Sequence, residues 1–167
     1  SAVLLPLMIV VALTATMFAF TPAADAASHR QQKINVGMDI VRHQKGDRYA
    51  YGAAGPNRFD CSGLIYYSYR KAGFRGIPRT SGAQAKFAHR IKRRHLRKGD
   101  FVFFHNGDDT ASNVYHVGVF AGWKNGRRTI IHAPYSGQRV HHILNPKTGR
   151  SAPRRSSIRS WGASWVG

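Results

Sequence analysis

The order of apolar and polar positions divides the chain into three stretches. Ala2 to Phe20 is almost unbrokenly apolar and runs through Thr21-Pro22 into the small-residue segment Ala23-Ala24-Asp25-Ala26-Ala27. Residues 28–33 are polar and basic and read as a loose lead-in. From Ile34 the apolar positions Ile34, Met38 and Val41 recur at spacings of four and three, which predicts a short amphipathic helix ending before Gly46. Residues 47–59, rich in Gly and aromatics, read as a structured loop. A second helix opens at Cys61 behind the N-cap Asp60, with Leu64, Ile65, Ser68 and Ala72 on one face and Gly73 as the stop. Pro78-Arg79-Thr80-Ser81 restarts a helix to about Ala88, and Arg90 to Lys98 is a basic run.

Beyond Gly99-Asp100 the pattern changes to strands. Residues 101–104, 114–121, 129–133 and 139–143 are rich in β-branched and aromatic side chains and are bounded by Gly, Asn or Asp. Helices followed by strands predict an α+β fold in which N-terminal helices pack on an antiparallel sheet. The tail from Lys147 to Arg159 is basic and rich in Ser and Pro, yet Trp161 and Trp165 predict that the C-terminus docks on the body.

The apolar stretch before Ala24-Asp25-Ala26 reads as a secretory signal over residues 1–26, cleaved near Ala26. With no Met and no basic segment ahead of it, this leader is expected to lack its first residues. The alternative is an uncleaved anchor, since about 19 apolar residues just span a bilayer. The expected organisation is then a lead-in and short helix over 27–46 and a catalytic domain with a basic tail over 47–167.

Composition narrows the chemistry. The 167 residues carry 26 Lys+Arg against seven acids, a formal charge of +19, and every acid is Asp. Mechanisms built on Glu are excluded, including the two-Glu glycosidase and the His-Glu-x-x-His metalloprotease. The single cysteine, Cys61, excludes an intramolecular disulfide and any zinc site of paired cysteines; neither metal nor cofactor is expected. Loss of residues 1–26 removes one acid and no base, so the exported chain would carry +20. Outside the cytoplasm such a charge points to anionic wall polymers rather than nucleic acid.

Cys61 stands in the first turn of its helix, where free N–H groups and the helix dipole favour an anion, so a lowered thiol pKa is expected. Small neighbours, Ser62 and Gly63, leave room around the sulfur. A thiolate nucleophile needs an imidazole, and the imidazole an orienting partner. Histidines 29, 43, 89 and 95 lie in polar surroundings, and His141-His142 must point to opposite faces. His116 and His132 each lie inside an apolar strand, where either alone is as readily a core histidine as a functional one. The hairpin register decides whether they meet. A two-residue Asn125-Gly126 turn would set Val119 opposite His132 and put His116 on the other face. A three-residue turn, Lys124-Asn125-Gly126, with a bulge at Gly126 would set Gly118 opposite His132 and bring both imidazoles to one face. A catalytic role therefore predicts the odd register, or an even one with a compensating bulge.

Tyr49-Ala50-Tyr51-Gly52, Phe59-Asp60-Cys61-Ser62-Gly63-Leu64, Pro78-Arg79-Thr80-Ser81, Gly99-Asp100-Phe101-Val102-Phe103-Phe104, His116-Val117-Gly118-Val119-Phe120 and Ile131-His132-Ala133 occur in this order. Together they resemble the NlpC-type cell-wall cysteine peptidases over about Tyr49 to Ala133. The resemblance implies a papain-like fold and cleavage of peptidoglycan stem peptides, commonly between D-γ-glutamyl and diaminopimelyl residues. It makes Cys61 the nucleophile, His116 the general base and later acid, and His132 the residue orienting His116. Tyr49 would approach the nucleophile, and Asp60 and Ser62 would lie near the stem peptide. The Cys61 backbone N–H is a natural oxyanion donor. Gly52 is followed by Ala53 where the family often has a second Gly.

The expected function is a secreted, monomeric thiol endopeptidase acting on stem peptides through an acyl-enzyme. An acyltransferase or amidase of the same fold is a second possibility. A third is an exported polycation that binds anionic wall polymers or membranes without catalysis.

Overall fold

The computed structural model describes residues 22–106, 110–144 and 158–162. The apolar run before Pro22, most of the basic tail and Trp165 lie outside them. Among the described residues no helix is long and apolar enough to cross a membrane.

The first helix, α1, spans Pro22–His43 and is helical through residues 28–33, where the sequence suggests a loose lead-in. Its first half is alanine and polar residues and so carries no stripe of large apolar side chains to read. Local interactions support it instead: Pro22 begins it, Asp25 and His29 are 3.4 Å apart, and the Gln31 amide donates to Asn35 at 3.0 Å. The second half has the expected apolar face, with Met38 and Val41 fully buried.

Strands β1 (Arg48–Tyr49) and β2 (Arg58–Phe59) pair in parallel and organise the Gly-rich loop. Helix α2, Cys61–Lys71, begins and ends as the sequence predicts. Asp60 caps it, Leu64, Ile65, Ser68 and Ala72 are buried, and Gly73 takes φ +93°, a conformation glycine adopts without strain. Helix α3, Ser81–Phe87, starts at the Thr80 cap.

The remaining strands are β3 (His89–Arg90), β4 (Phe101–His105), β5 (Val114–Lys124), β6 (Arg127–His132), β7 (His141–Leu144) and β8 (Ile158–Gly162). They form one antiparallel sheet in the order β3-β8-β4-β5-β6-β7. Trp161 pairs with Phe101 and Arg90, so the C-terminal segment is stitched into the sheet beside β4.

Period-two alternation gives the sheet two buried faces. Phe101, Phe103, Val117, Val119 and Ile131 pack with Met38, Val41, Leu64, Ile65 and Tyr69 of the helices. Val102, Phe104, Phe120 and Ile130 face the other way and are covered by Leu96 and Ile91. Each fully buried aliphatic or Phe side chain contributes about 1.5–3 kcal/mol. The Tyr69 hydroxyl, buried in the first cluster, donates to the Gly99 carbonyl at 2.7 Å and ties α2 to the approach to β4.

The β5–β6 hairpin corrects one expectation and meets its purpose by another route. Lys124 pairs with Arg127 across a two-residue turn in which Asn125 (φ 51°) and Gly126 (φ 69°) are both left-handed. The three-residue turn is not formed. The register shifts by one residue between Phe120 and Gly122, so Ala121 is an extra residue on β5 and Val119 pairs with Ile131. Continued one step, this pairing sets Gly118 opposite His132, where a Cβ would collide with Ile130 Cγ2 and stand 3.2 Å from His132 Cβ, so glycine is what fits between the two histidines.

Candidate active site

Three elements meet at the site: the start of α2, the N-terminal half of β5 and the end of β6. The α2 start is built around Asp60, whose extended backbone turns its carboxylate back over the first helical turn. Oδ1 accepts from the Gly63 N–H at 2.6 Å, the Ser62 hydroxyl at 3.2 Å and Arg79 Nη1 at 3.0 Å. Oδ2 accepts from the Gly52 N–H at 3.0 Å and Arg79 Nη2 at 2.7 Å. Burial alone would raise the Asp60 pKa; the Arg79 fork, the Gly63 N–H and the Ser62 hydroxyl outweigh it and hold the carboxyl below its ordinary value. Arg79 also donates to Ser62 Oγ at 3.1 Å and the Ala53 carbonyl at 3.3 Å. Gln84, fully buried, bonds the Ser62 carbonyl at 3.0 Å and the Pro78 carbonyl at 2.9 Å, locking α3 onto the first turn of α2.

Cys61 is partly buried as the first residue of this turn. The Val117 and Ser62 backbone N–H groups donate toward its sulfur, and the Ser62 hydroxyl lies beside it. Its pKa nevertheless lies above the ordinary thiol value, first because the sulfur is buried and then because Asp60 is negative. The lowering expected from the helix start is therefore overturned by desolvation, which no local sequence feature reveals.

Val117 places the thiol one residue along β5 from His116. His116 Nε2 and His132 Nδ1 are 2.8 Å apart, with the rings 5.0 Å apart and inclined at 72°. Both imidazoles are buried, and both take up a proton only well below the ordinary imidazole range: burial takes His116 down to about 4. It takes His132 to about 3, with the neighbouring His116 and His141 adding to the effect. One of the two rings must donate its proton in the bond, leaving His116 Nδ1 as the free edge of that imidazole. His132 Nε2 is buried without a hydrogen-bond partner, and the His141 ring stands 5.0 Å from that of His132.

Tyr49 packs against the same core cluster as Cys61 and lies within its field. Its pKa is raised by burial first, then by the fields of Cys61, Asp60 and Tyr51, so its hydroxyl stays protonated. Of the residues singled out in the sequence, Cys61, Tyr49, Asp60 and Ser62 share one neighbourhood, and His116 and His132 share a hydrogen bond. Sequence reading assigned no role to Arg79 and Gln84. Arg79 lies within the quoted Pro78-Arg79-Thr80-Ser81 motif, which was the available signal; a buried Gln near the start of a short helix gives none. His105, fully buried at the end of β4, was also passed over. Among the described residues no three His, Cys or Asp side chains converge as metal ligands do.

The fold and this grouping define a class: an α+β protein that holds a helix-borne cysteine against a sheet bearing paired histidines. The chain belongs to the NlpC/P60 family, whose profile matches residues 46–158. It is 40% identical over 133 residues to a probable endopeptidase of Corynebacterium glutamicum, covering 79% of this chain and 56% of the relative. It is 39% identical over 122 residues to the murein DD-endopeptidase MepH of Escherichia coli, covering 70% and 42%. A γ-D-glutamyl-L-lysine dipeptidyl-peptidase of Bacillus cereus is 33% identical over 123 residues, covering 74% and 32%. Among solved structures, an NLP/P60-family lipoprotein-like protein of Staphylococcus aureus shares the fold with TM-score 0.56 and 30% identity, covering 67% of this chain and 36% of that one. The chain thus spans about half or less of the length of these relatives.

Proposed function

We propose that the chain is a secreted cysteine endopeptidase that cuts peptidoglycan stem peptides, at the bond between D-γ-glutamyl and diaminopimelyl residues. The observation that carries this is the 2.8 Å His116–His132 bond, set next to Val117, whose N–H meets the Cys61 sulfur. The murein endopeptidase and γ-D-glutamyl-L-lysine peptidase among the relatives support the substrate class, and the second supports a cut beside the γ-D-glutamyl residue.

In this reading Cys61 attacks the scissile carbonyl while His116 removes the thiol proton. With the thiol pKa raised and the imidazole pKa lowered, the resting pair is neutral, so the proton moves with the attack rather than before it. His132 holds the His116 ring and its tautomer. The Cys61 N–H receives the developing oxyanion and the Tyr49 hydroxyl stands by as a neutral donor. His116 then protonates the leaving amine, and water, activated by the same imidazole, hydrolyses the thioester. Both Asp60 oxygens are already occupied, so Asp60 and Ser62 serve the substrate by fixing the first turn of α2 and Arg79.

Muropeptide release from purified sacculi, followed by mass spectrometry, tests the proposal. Cys61→Ala and His116→Ala are expected to abolish release and His132→Ala to reduce it less. Undiminished turnover by Cys61→Ala overturns the mechanism. The raised thiol pKa favours a second reading, a basic wall-binding protein without catalysis; retention on sacculi with no release by the wild-type chain is the result that supports it.

A further inference from the structure

A second cleft, of about 380 Å³, opens beside Tyr49 between the β1–β2 unit and the segment leading into β7; Arg48, Arg58 and Arg139 line it with Tyr49, Gly137 and Gln138. Backbone bonds build it. Arg48 and Arg58 are register partners in the parallel pair, and Arg48 also bridges to Arg139. The Tyr49 N–H bonds the Gln138 carbonyl at 2.9 Å, and the Val140 N–H bonds the Asp47 carbonyl at 2.8 Å. Arg139 Nη1 donates to the Gly46 carbonyl at 2.6 Å, which fixes one edge of its guanidinium.

The cleft thus gathers three permanent positive charges with no acid among its lining residues. Asp47 lies within the field of Arg139, yet among the described residues none of the three arginines forms an ion pair. Like charges held together by fixed backbone repel one another, and an anion in their midst relieves that repulsion. Guanidinium forks match a planar carboxylate with two parallel hydrogen bonds. The size suits a small side group, being near the lower end of ordinary ligand sites, about 300–1,000 Å³. Tyr49 belongs both to this cleft and to the surroundings of Cys61, so a group seated among the arginines is contiguous with whatever lies over the thiol.

Resting on the hydrolase reading above, we propose that the three-arginine cleft is a carboxylate subsite that selects stem peptides bearing a free acid next to the scissile bond. Amidation of that acid removes both the charge and one acceptor, so it weakens binding.

Calorimetry on the Cys61→Ala chain reads the subsite without turnover. The probes are the tripeptide L-Ala–γ-D-Glu–diaminopimelate, the same peptide with the glutamyl α-carboxylate amidated, and the same peptide with the diaminopimelyl carboxylates amidated. At least one amide is expected to bind about tenfold more weakly than the acid. Adding Arg48→Gln with Arg58→Gln is expected to erase that difference by weakening the acid alone, with the circular dichroism spectrum unchanged. Equal binding of all three peptides, no measurable binding of any, or discrimination that survives both substitutions overturns the subsite. Incubating the wild-type chain with the acid separates the two ideas. Cleavage despite equal binding leaves the hydrolase and removes the subsite, whereas discriminating binding without cleavage does the reverse.

Discussion

The buried histidine pair makes the fold sensitive to mild acid, in a pH window set by its own titration. In the unfolded chain an imidazole takes up a proton as the pH falls through 6.5, whereas folded His116 does so only near 4 and His132 near 3. Between these values the unfolded state binds more protons, so stability falls as the pH falls. One such group costs about 1.4 kcal/mol per pH unit, and His116 alone accounts for about 3 kcal/mol by pH 4. That is a large part of the roughly 5–15 kcal/mol available to a domain. Asp47 and Asp100 have raised pKa values and oppose the trend at the bottom of the window, so the slope is best read between pH 6.5 and 5. Urea denaturation at half-unit steps measures it. His132→Asn keeps the size and polarity of the site and removes one titrating group; its slope is expected to be shallower by about 1 kcal/mol per pH unit. A flat wild-type profile above pH 5, or an unchanged slope in His132→Asn, refutes neutral burial of the pair.

Three further outcomes follow from the geometry. Deleting Val119, between the bulge and His116, sets Val117 opposite His132 and turns His116 to the other face. Muropeptide release is then expected to disappear while the strand content of the circular dichroism spectrum persists, and retained activity would count against the shared-face requirement. Asp60→Ala removes the α2 cap, worth about 1 kcal/mol, and strands the Arg79 charge beside the thiol. A combined loss of about 2–4 kcal/mol in chemical denaturation is expected, and a loss under 1 kcal/mol would show that Arg79 finds another partner. Iodoacetamide is expected to alkylate Cys61 at pH 7 more slowly than it alkylates a small free thiol, with faster labelling contradicting the raised pKa.

What could be read from the sequence depended on how local each cause is. The α2 helix was fully legible because its cap, apolar face and glycine stop lie within fourteen consecutive residues. The pairing of His116 with His132 was legible as a requirement, though not by the route taken: Asn125-Gly126 is a strong two-residue turn signal, whereas nothing about Ala121 marks it as the extra residue. The first half of α1 was missed because short side-chain contacts, not an apolar stripe, support it. The depressed thiol pKa was wrong for a related reason. The helix start is written in the local sequence, but burial of the sulfur against β5 depends on residues more than fifty positions away. Arg79 reaches Asp60 across nineteen residues, so its motif was visible and its partner was not.

The Ala121 bulge divides the β5–β6 hairpin into two independent halves. Below it, pairing is fixed by the need to keep the two imidazoles in phase; above it, from Gly122 to Thr129, the ribbon follows the turn alone. The distal tip can therefore be rebuilt with any other two-residue turn, or carry a short grafted peptide, without disturbing the chemistry. A single inserted or deleted residue between the bulge and His116 has no such freedom, because it turns His116 to the opposite face from His132.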